Sequence, residues 1–311
     1  MRKIFFSILL ISFVLLIPHQ TNSDSPYMGL PLTIPEQQWK PLERTFNADF
    51  QQRLENKIAQ NPLWRTLVSN HKMAVGLVDL SNPLDPKFAR VNGDRMMYAA
   101  SLPKIAVLLA ACQSMEEGIL KETPAIFEDL VNMIRYSSNE AATRLIDFLG
   151  FKKIETVLRS PKYKLYDPKN GGGLWVGKRY AKSGERHPDP MEGLSHAATV
   201  DQVCRFYYLL ATGRLVNPER SREMLEIMSE PGLHHKFVHA LDSLAPNARV
   251  FRKSGTWRAW HSDSALVWEE GKRQYILVAI IEDGEGGKIL QELVPVAEEA
   301  LAHHNLLTHN P

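Results

Sequence analysis

The chain has 311 residues, of which 44% are hydrophobic and 23% charged, and its formal net charge is +2. This is ordinary globular composition, with enough apolar residues for a sizeable core. So small a net charge lacks the electrostatic footprint of a nucleic-acid binder, and no nucleic-acid partner is expected.

The chain opens on Met1-Arg2-Lys3, an apolar run from Ile4 to Leu16, then Pro18 and the polar Gln20-Thr21-Asn22-Ser23. That is the layout of a secretory signal peptide. The apolar run falls short of the roughly 20 residues that a membrane span needs. Residues 1–23 are therefore expected to be cleaved, leaving a periplasmic or secreted protein without a stable membrane anchor, with an uncleaved membrane anchor as the lesser reading. Their removal takes away Arg2 and Lys3 and brings the net charge from +2 to 0. Cys112 and Cys204 sit in apolar helical patterns and are expected to be buried free thiols, with a bridge between them as the alternative.

Phe46, Phe50, Leu54, Ile58 and Leu63 recur at a helical period, which predicts one amphipathic opening helix over about 42–68. Met73 to Leu80 and Phe88 to Val91 read as two antiparallel strands joined by a Pro-containing loop. Helices are predicted over Pro103 to Gly118, Ala125 to Tyr136 and Asn139 to Gly150. Residues 163–196, with Gly171-Gly172-Gly173, Pro188 and Pro190, show no sustained period, and loops this long are usually functional or disordered. Further helices are predicted over Thr199 to Gly213, Pro218 to Ser229 and His235 to Leu244. Strands follow at Arg249 to Lys253, Ser264 to Glu269 and Gln274 to Ile281, and a helix from Lys288 to His304 closes the chain.

This order predicts an α+β fold, in which strands from both chain ends form one antiparallel sheet around an inserted all-helical lobe. A single domain over 24–311 is expected. Its sheet lobe comprises about 41–100 and 249–311, its helical lobe about 101–248, and a cleft lies between them.

Three short motifs carry chemistry. Ser101-Leu102-Pro103-Lys104 precedes an apolar helix, where positions three apart share a face and a lysine amine can lie beside a serine hydroxyl. A second match, Ser69-Asn70-His71-Lys72, runs straight into a strand and reads as solvated. Ser137-Ser138-Asn139 falls between two helices, where a hydroxyl can relay a proton and an amide can hold a carbonyl or orient the lysine. The competing reading there is a helix N-cap. Lys253-Ser254-Gly255-Thr256 lies on a returning strand, with Gly255 permitting close approach, whereas Lys182-Ser183-Gly184 lies in the Gly/Pro-rich loop. Trp257, Trp260 and His261 follow and either line the cleft or pack in the core. The pairs His234-His235 and His303-His304 cannot chelate as neighbours, and no metal or cofactor site is evident.

The three motifs in this order resemble the penicillin-recognising serine enzymes, above all class A β-lactamases. The resemblance runs from about Met73 to the C-terminus and implies a serine hydrolase working through an acyl-enzyme on Ser101. By it, Lys104 is the activating base, Ser137 the proton relay, Asn139 a substrate-amide ligand and Lys253 the carboxylate-side cation. Ser254, Gly255 and Thr256 bind substrate, and the N–H groups of Ser101 and Thr256 form the oxyanion hole. The expected partner is a small molecule, a β-lactam or a peptide or amide with a carboxylate, acted on by a monomer.

The 36 residues from Ser101 to Ser137 are fewer than the resemblance implies and predict a trimmed helical lobe. The loop before Ala198 lacks the family's glutamate-plus-asparagine pattern. Glu185 and Glu192 are its candidates for a deacylating base, each set against a solvated carboxylate. β-Lactam hydrolysis is the leading expectation. A D,D-peptidase or penicillin-binding protein, a serine amidase, and a catalytically silent binding module are the alternatives.

Overall fold

The computed structural model describes residues 29–302. The expected signal segment and the His303-His304 pair lie outside them. The opening amphipathic stretch forms two helices instead of one, α1 (Ala48–Ala59) and α2 (Pro62–Ser69). Asn47 caps the first through Phe50 N at 2.9 Å, and Asn61 caps the second through Leu63 N and Trp64 N. Pro62 stands at the first position of α2, where its missing N–H costs nothing, so a new helix starts there instead of the old one continuing.

Strands β1 (Met73–Asp79) and β2 (Lys87–Val91) follow, then the short β3 (Met97–Tyr98) and helices α3 (Lys104–Glu116), α4 (Pro124–Arg135) and α5 (Asn139–Leu149). Helix α6 (Phe151–Arg159) was not expected from the sequence. Gly150, at φ 75°, breaks the chain from α5, and the new helix buries only Ile154, Val157 and Leu158, too short a stripe to read as a period. The stretch expected to be irregular holds two-residue strands, β4 (Tyr166–Asp167), β5 (Gly172–Gly173) and β6 (Trp175–Val176), and one 3-10 turn, Pro168–Asn170, before β7 (His196–Ala198). Helices α7 (Val200–Ala211), α8 (Pro218–Met228) and α9 (Phe237–Leu244) lead to β8 (Arg249–Trp257), β9 (Trp260–Glu269), β10 (Arg273–Glu282) and α10 (Gly286–Ala302).

The main sheet has five strands in the order β2-β1-β10-β9-β8, every pair antiparallel. Strands from both chain ends therefore share one sheet, as the α+β reading expected. Side chains alternate across a strand, so β1 and β10 feed two cores. Ala74, Val78, Ile276, Val278 and Ile280 join the core that also holds α3, α7 and α8. Met73, Val75, Leu77, Leu277 and Ala279 face the core of α1, α2 and α10.

Helix α3 is buried on all sides from Lys104 to Cys112. A helix apolar all round belongs in the middle of a packed lobe, and Lys104 is carried inside with it. Cys112 and Cys204 are buried free thiols. Among the described residues no helix is long and apolar enough to cross a membrane.

Candidate active site

Ser101 lies in the turn entering α3, where N–H groups at 104, 105 and 106 bond the carbonyls of 101, 102 and 103. In such a tightened turn residues three apart eclipse one another, so Ser101 and Lys104 share a side although Ser101 precedes the regular helix. Ala100, immediately before it, is held at φ 52°, a left-handed conformation that a residue with a Cβ adopts rarely and that clusters at functional sites.

The amine of Lys104 is fully buried. It donates to Ser137 O at 2.6 Å, Ser138 O at 3.1 Å and Asn139 Oδ1 at 2.8 Å, which occupies all three of its protons. Ser137 is also left-handed, at φ 59°, which turns its carbonyl toward Lys104. The N-cap reading of this motif holds for Ser138, whose Oγ accepts from Ala141 N at 3.1 Å. Ser137 is left free, and its Oγ accepts from Lys253 Nζ at 2.9 Å. The three motifs thus meet in one network.

Strand β8 is the edge of the sheet, and it extends to Trp257 instead of ending near Lys253, so Lys253 to Thr256 lie within the ladder. A two-residue connection to β9, with Arg258 at φ 52°, continues the pairing to Trp257 and Trp260. Gly255 brings the strand against the Ser101 turn, since a Cβ there would stand 2.3 Å from Ala99 O and 2.7 Å from Ser101 N. Gly255→Ala is expected to push β8 away from Ser101. A displacement of about 1 Å at a reacting centre costs on the order of a hundredfold, so acylation should slow by about that factor with the fold retained. A stopped-flow acylation rate equal to the parent's would refute the contact.

Tyr180 and His196 roof this network. The Tyr180 ring centre lies 4.4 Å from Lys104 Nζ and 4.2 Å from the His196 ring. Burial under this roof lowers the Lys104 pKa to about 7, against the opposing pull of Glu140. Lys253 is also held well below the usual lysine range, by burial first and by the charge of Lys104 second. Burial brings His196 down to about 4, so near neutral pH it is an uncharged ring.

The cleft above Ser101 has a volume of about 1010 Å³, and Asn139, Thr256, Trp257 and Trp260 line it. Among the described residues no aspartate or glutamate lines it. The expected base candidates are not brought in: Glu185 and Glu192 are both exposed, outside that lining. In the 189–194 turn the buried acid is Asp189, which is engaged by the N–H groups of Met191, Glu192 and Leu194. Glu192 is thereby aimed outward.

The family model described as the Beta-lactamase enzyme family matches residues 123–301. The chain belongs to that family. Comparison with curated proteins gives no match. Among solved structures, the β-lactamase of Sphaerobacter thermophilus DSM 20745 is 17% identical, with 80% of this chain and 95% of that one covered and a TM-score of 0.60. PBP-A is 18% identical, with 83% and 97% covered and a TM-score of 0.60. The class A β-lactamase of the last common ancestor of Gram-negative bacteria is 16% identical, with 81% and 99% covered and a TM-score of 0.60. These likenesses establish a β-lactamase fold.

Within this family member several site residues escaped the sequence reading. Lys236, buried at φ 56°, donates to Gly255 O, Thr256 Oγ1 and Ser262 O at 2.6, 2.8 and 3.2 Å, clamping the end of β8. Burial lowers its pKa to about 8. Nothing local distinguishes Gly232-Leu233-His234-His235-Lys236 from a solvated basic turn. Tyr180 and His196 lie in the segment without a period, where no local pattern marks them. Trp257 and Trp260 do line the cleft, whereas His261 packs against Gly286 with both ring nitrogens buried. The decoy serine, Ser69, is exposed and bonds Thr66 O in its own helix.

Proposed function

We propose that this β-lactamase-family protein forms an acyl-enzyme on Ser101 with lactam or peptide-like substrates bearing a carboxylate, and that it releases the acyl group slowly, in the manner of a penicillin-binding D,D-peptidase. The observation that carries the reading is the joining of Lys104, Ser137 and Lys253 in one network beside Ser101, in a cleft with no carboxylate in its lining.

In this reading Lys104 reacts as the neutral amine that a pKa near 7 supplies. Losing one proton frees a lone pair while two of its three hydrogen bonds persist. That lone pair takes the Ser101 proton as Oγ bonds to the substrate carbonyl carbon. The N–H groups of Ser101 and Thr256 hold the resulting oxyanion. The proton then passes through Ser137 Oγ, polarised by Lys253, to the leaving nitrogen as the C–N bond breaks. Thr256, which lines the cleft, engages the substrate carboxylate with the buried Lys253 and Ser254 behind it, and Asn139, which uses only its Oδ1 on Lys104, offers its amide N–H groups to the acyl amide. For deacylation Lys104 serves again as base: it takes a proton from a water that bonds to the ester carbonyl carbon, and returns it to Ser101 Oγ as the C–Oγ bond breaks. The segment 1–23 supports work outside the cytoplasm, where such substrates are met.

A solved variant of PBP-A, the L158E mutant, carries penicillin G as an acyl-enzyme, which supports the substrate class. The test is the lifetime of a penicillin adduct followed by intact mass, together with nitrocefin turnover. An adduct lasting minutes to hours supports the reading. Loss within seconds means an efficient β-lactamase, and failure to form any adduct favours an amidase or a silent module. Glu185→Gln and Glu192→Gln are expected to deacylate at the parent rate, and a trapped adduct in either variant would make that residue the base.

A further inference from the structure

The wall of the cleft opposite β8 is the loop segment 178–186. It folds as an arm in which Lys178 and Arg186 form an antiparallel bridge, so their side chains leave the same face. Gly177 fixes the arm: its N–H bonds Ser195 O at 2.7 Å, its carbonyl accepts from His187 N at 2.7 Å, and a Cβ would stand 1.9 Å from His187 O. Lys178, Arg179, Lys182 and Arg186 from the arm, with Arg258 from the β8–β9 turn, all line the cleft. Only Arg179 has a carboxylate partner, Asp147 at 2.6 Å. The other four take part in no ion pair among the described residues, and Glu185, the single acid of the arm, is exposed outside the lining.

Four uncompensated cations around one cleft exceed what a single substrate carboxylate at Lys253 and Thr256 requires. The arm lies on the Asn139 side, because Tyr180 from the arm packs on Lys104, which in turn bonds Asn139. An acyl group whose amide is held by Asn139 therefore runs toward Lys178, Lys182 and Arg186.

We propose that the cleft selects acyl donors carrying a second negative charge on the acyl side, a carboxylate beyond the one borne by the leaving-group half. The placement of the acyl side rests on the acyl-enzyme reading above. The attraction itself follows from the charges: a cleft of one sign concentrates ligands of the other, and the effect fades with salt.

Benzylpenicillin and carbenicillin provide the pair of probes, since the second is the first with an added carboxylate on the acyl side chain. Equilibrium binding to the purified Ser101→Ala protein, read by tryptophan fluorescence because Trp257 and Trp260 line the cleft, separates charge selection from chemistry. Carbenicillin is expected to bind about tenfold more tightly than benzylpenicillin at low salt. The preference should fall toward unity in 1 M salt, where the screening length is about 3 Å. It should also fall in a Lys182→Glu/Arg186→Glu variant, whose exposed positions tolerate the change without unfolding.

Equal or weaker binding of the dianion, no measurable binding of it, or a preference that survives charge reversal would overturn the inference. Acylation of the wild-type chain is scored separately. An adduct without any charge preference sinks the inference and leaves the acyl-enzyme reading standing. A charge preference without an adduct sinks that reading and leaves the selection of dianions intact.

Discussion

Replacing Lys104 by methionine is expected to slow acylation of Ser101 by about a hundred- to ten-thousand-fold, the range typical for loss of a general base. Methionine fills the same channel through the lobe, so a folded protein should be recovered, although Ser137 O, Ser138 O and Asn139 Oδ1 lose their shared donor. The sign of the pH dependence follows from the direction of the shift. With its pKa lowered to about 7 by burial, Lys104 is a protonated, inactive base below that pH and a free amine above it. The acylation rate should therefore rise through about pH 7 and level off, and this limb should vanish in Lys104→Met. Lys104→Arg should be as slow as the methionine variant, because a guanidinium keeps its proton. A fast Lys104→Arg enzyme would show that the site needs only a cation there, and the base assignment would fall.

The second large effect concerns stability. Asp263 is fully buried and receives Arg252 Nε and Nη2, each at 2.7 Å, together with the N–H groups of Phe237 at 3.1 Å and Ser264 at 3.0 Å. Arg252 and Asp263 sit diagonally on one face of the β8–β9 hairpin, since Arg252 lies opposite Ala265 and Asp263 opposite Ser254. Arg252 also reaches Leu233 O and His235 O, so the pair ties the edge strand to the turn carrying Lys236. Removing one partner of a buried pair strands the other charge, at roughly 3–5 kcal/mol. Asp263→Ala should accordingly lower the melting temperature by roughly 6–20 °C. An Arg252→Met/Asp263→Leu double variant should recover much of this, because an apolar pair of similar volume is often neutral. A single variant melting within a degree or two of the parent would refute the account.

The distribution of what was legible follows from physics. The sheet was readable because its strands are short apolar runs bounded by turn residues, and three ordered motifs marked where they converge. Ser101, Lys104, Ser137, Asn139 and Lys253 were therefore legible in the sequence as candidates. Lys236, Arg252 and Asp263 were not, because a buried ion or ion pair is spelled with the same letters as a solvated one and only the tertiary contact distinguishes them. Tyr180 and His196 were hidden for a related reason. Their segment is shaped by single-residue constraints, such as the close approach at Gly177 and the turn around Asp189, which leave no repeating pattern. The break at Pro62 was misread because a hydrophobic stripe continued across it, and α6 was missed because Gly150 separated it from a stronger helix.

The acyl-enzyme claim meets its most direct test in the intact mass of the purified protein after incubation with penicillin, run beside Ser101→Ala and followed by peptide mapping. One penicilloyl adduct per chain is expected, located on Ser101 and absent from the alanine variant. An adduct that persists in Ser101→Ala, or one that maps to any other residue, would contradict it.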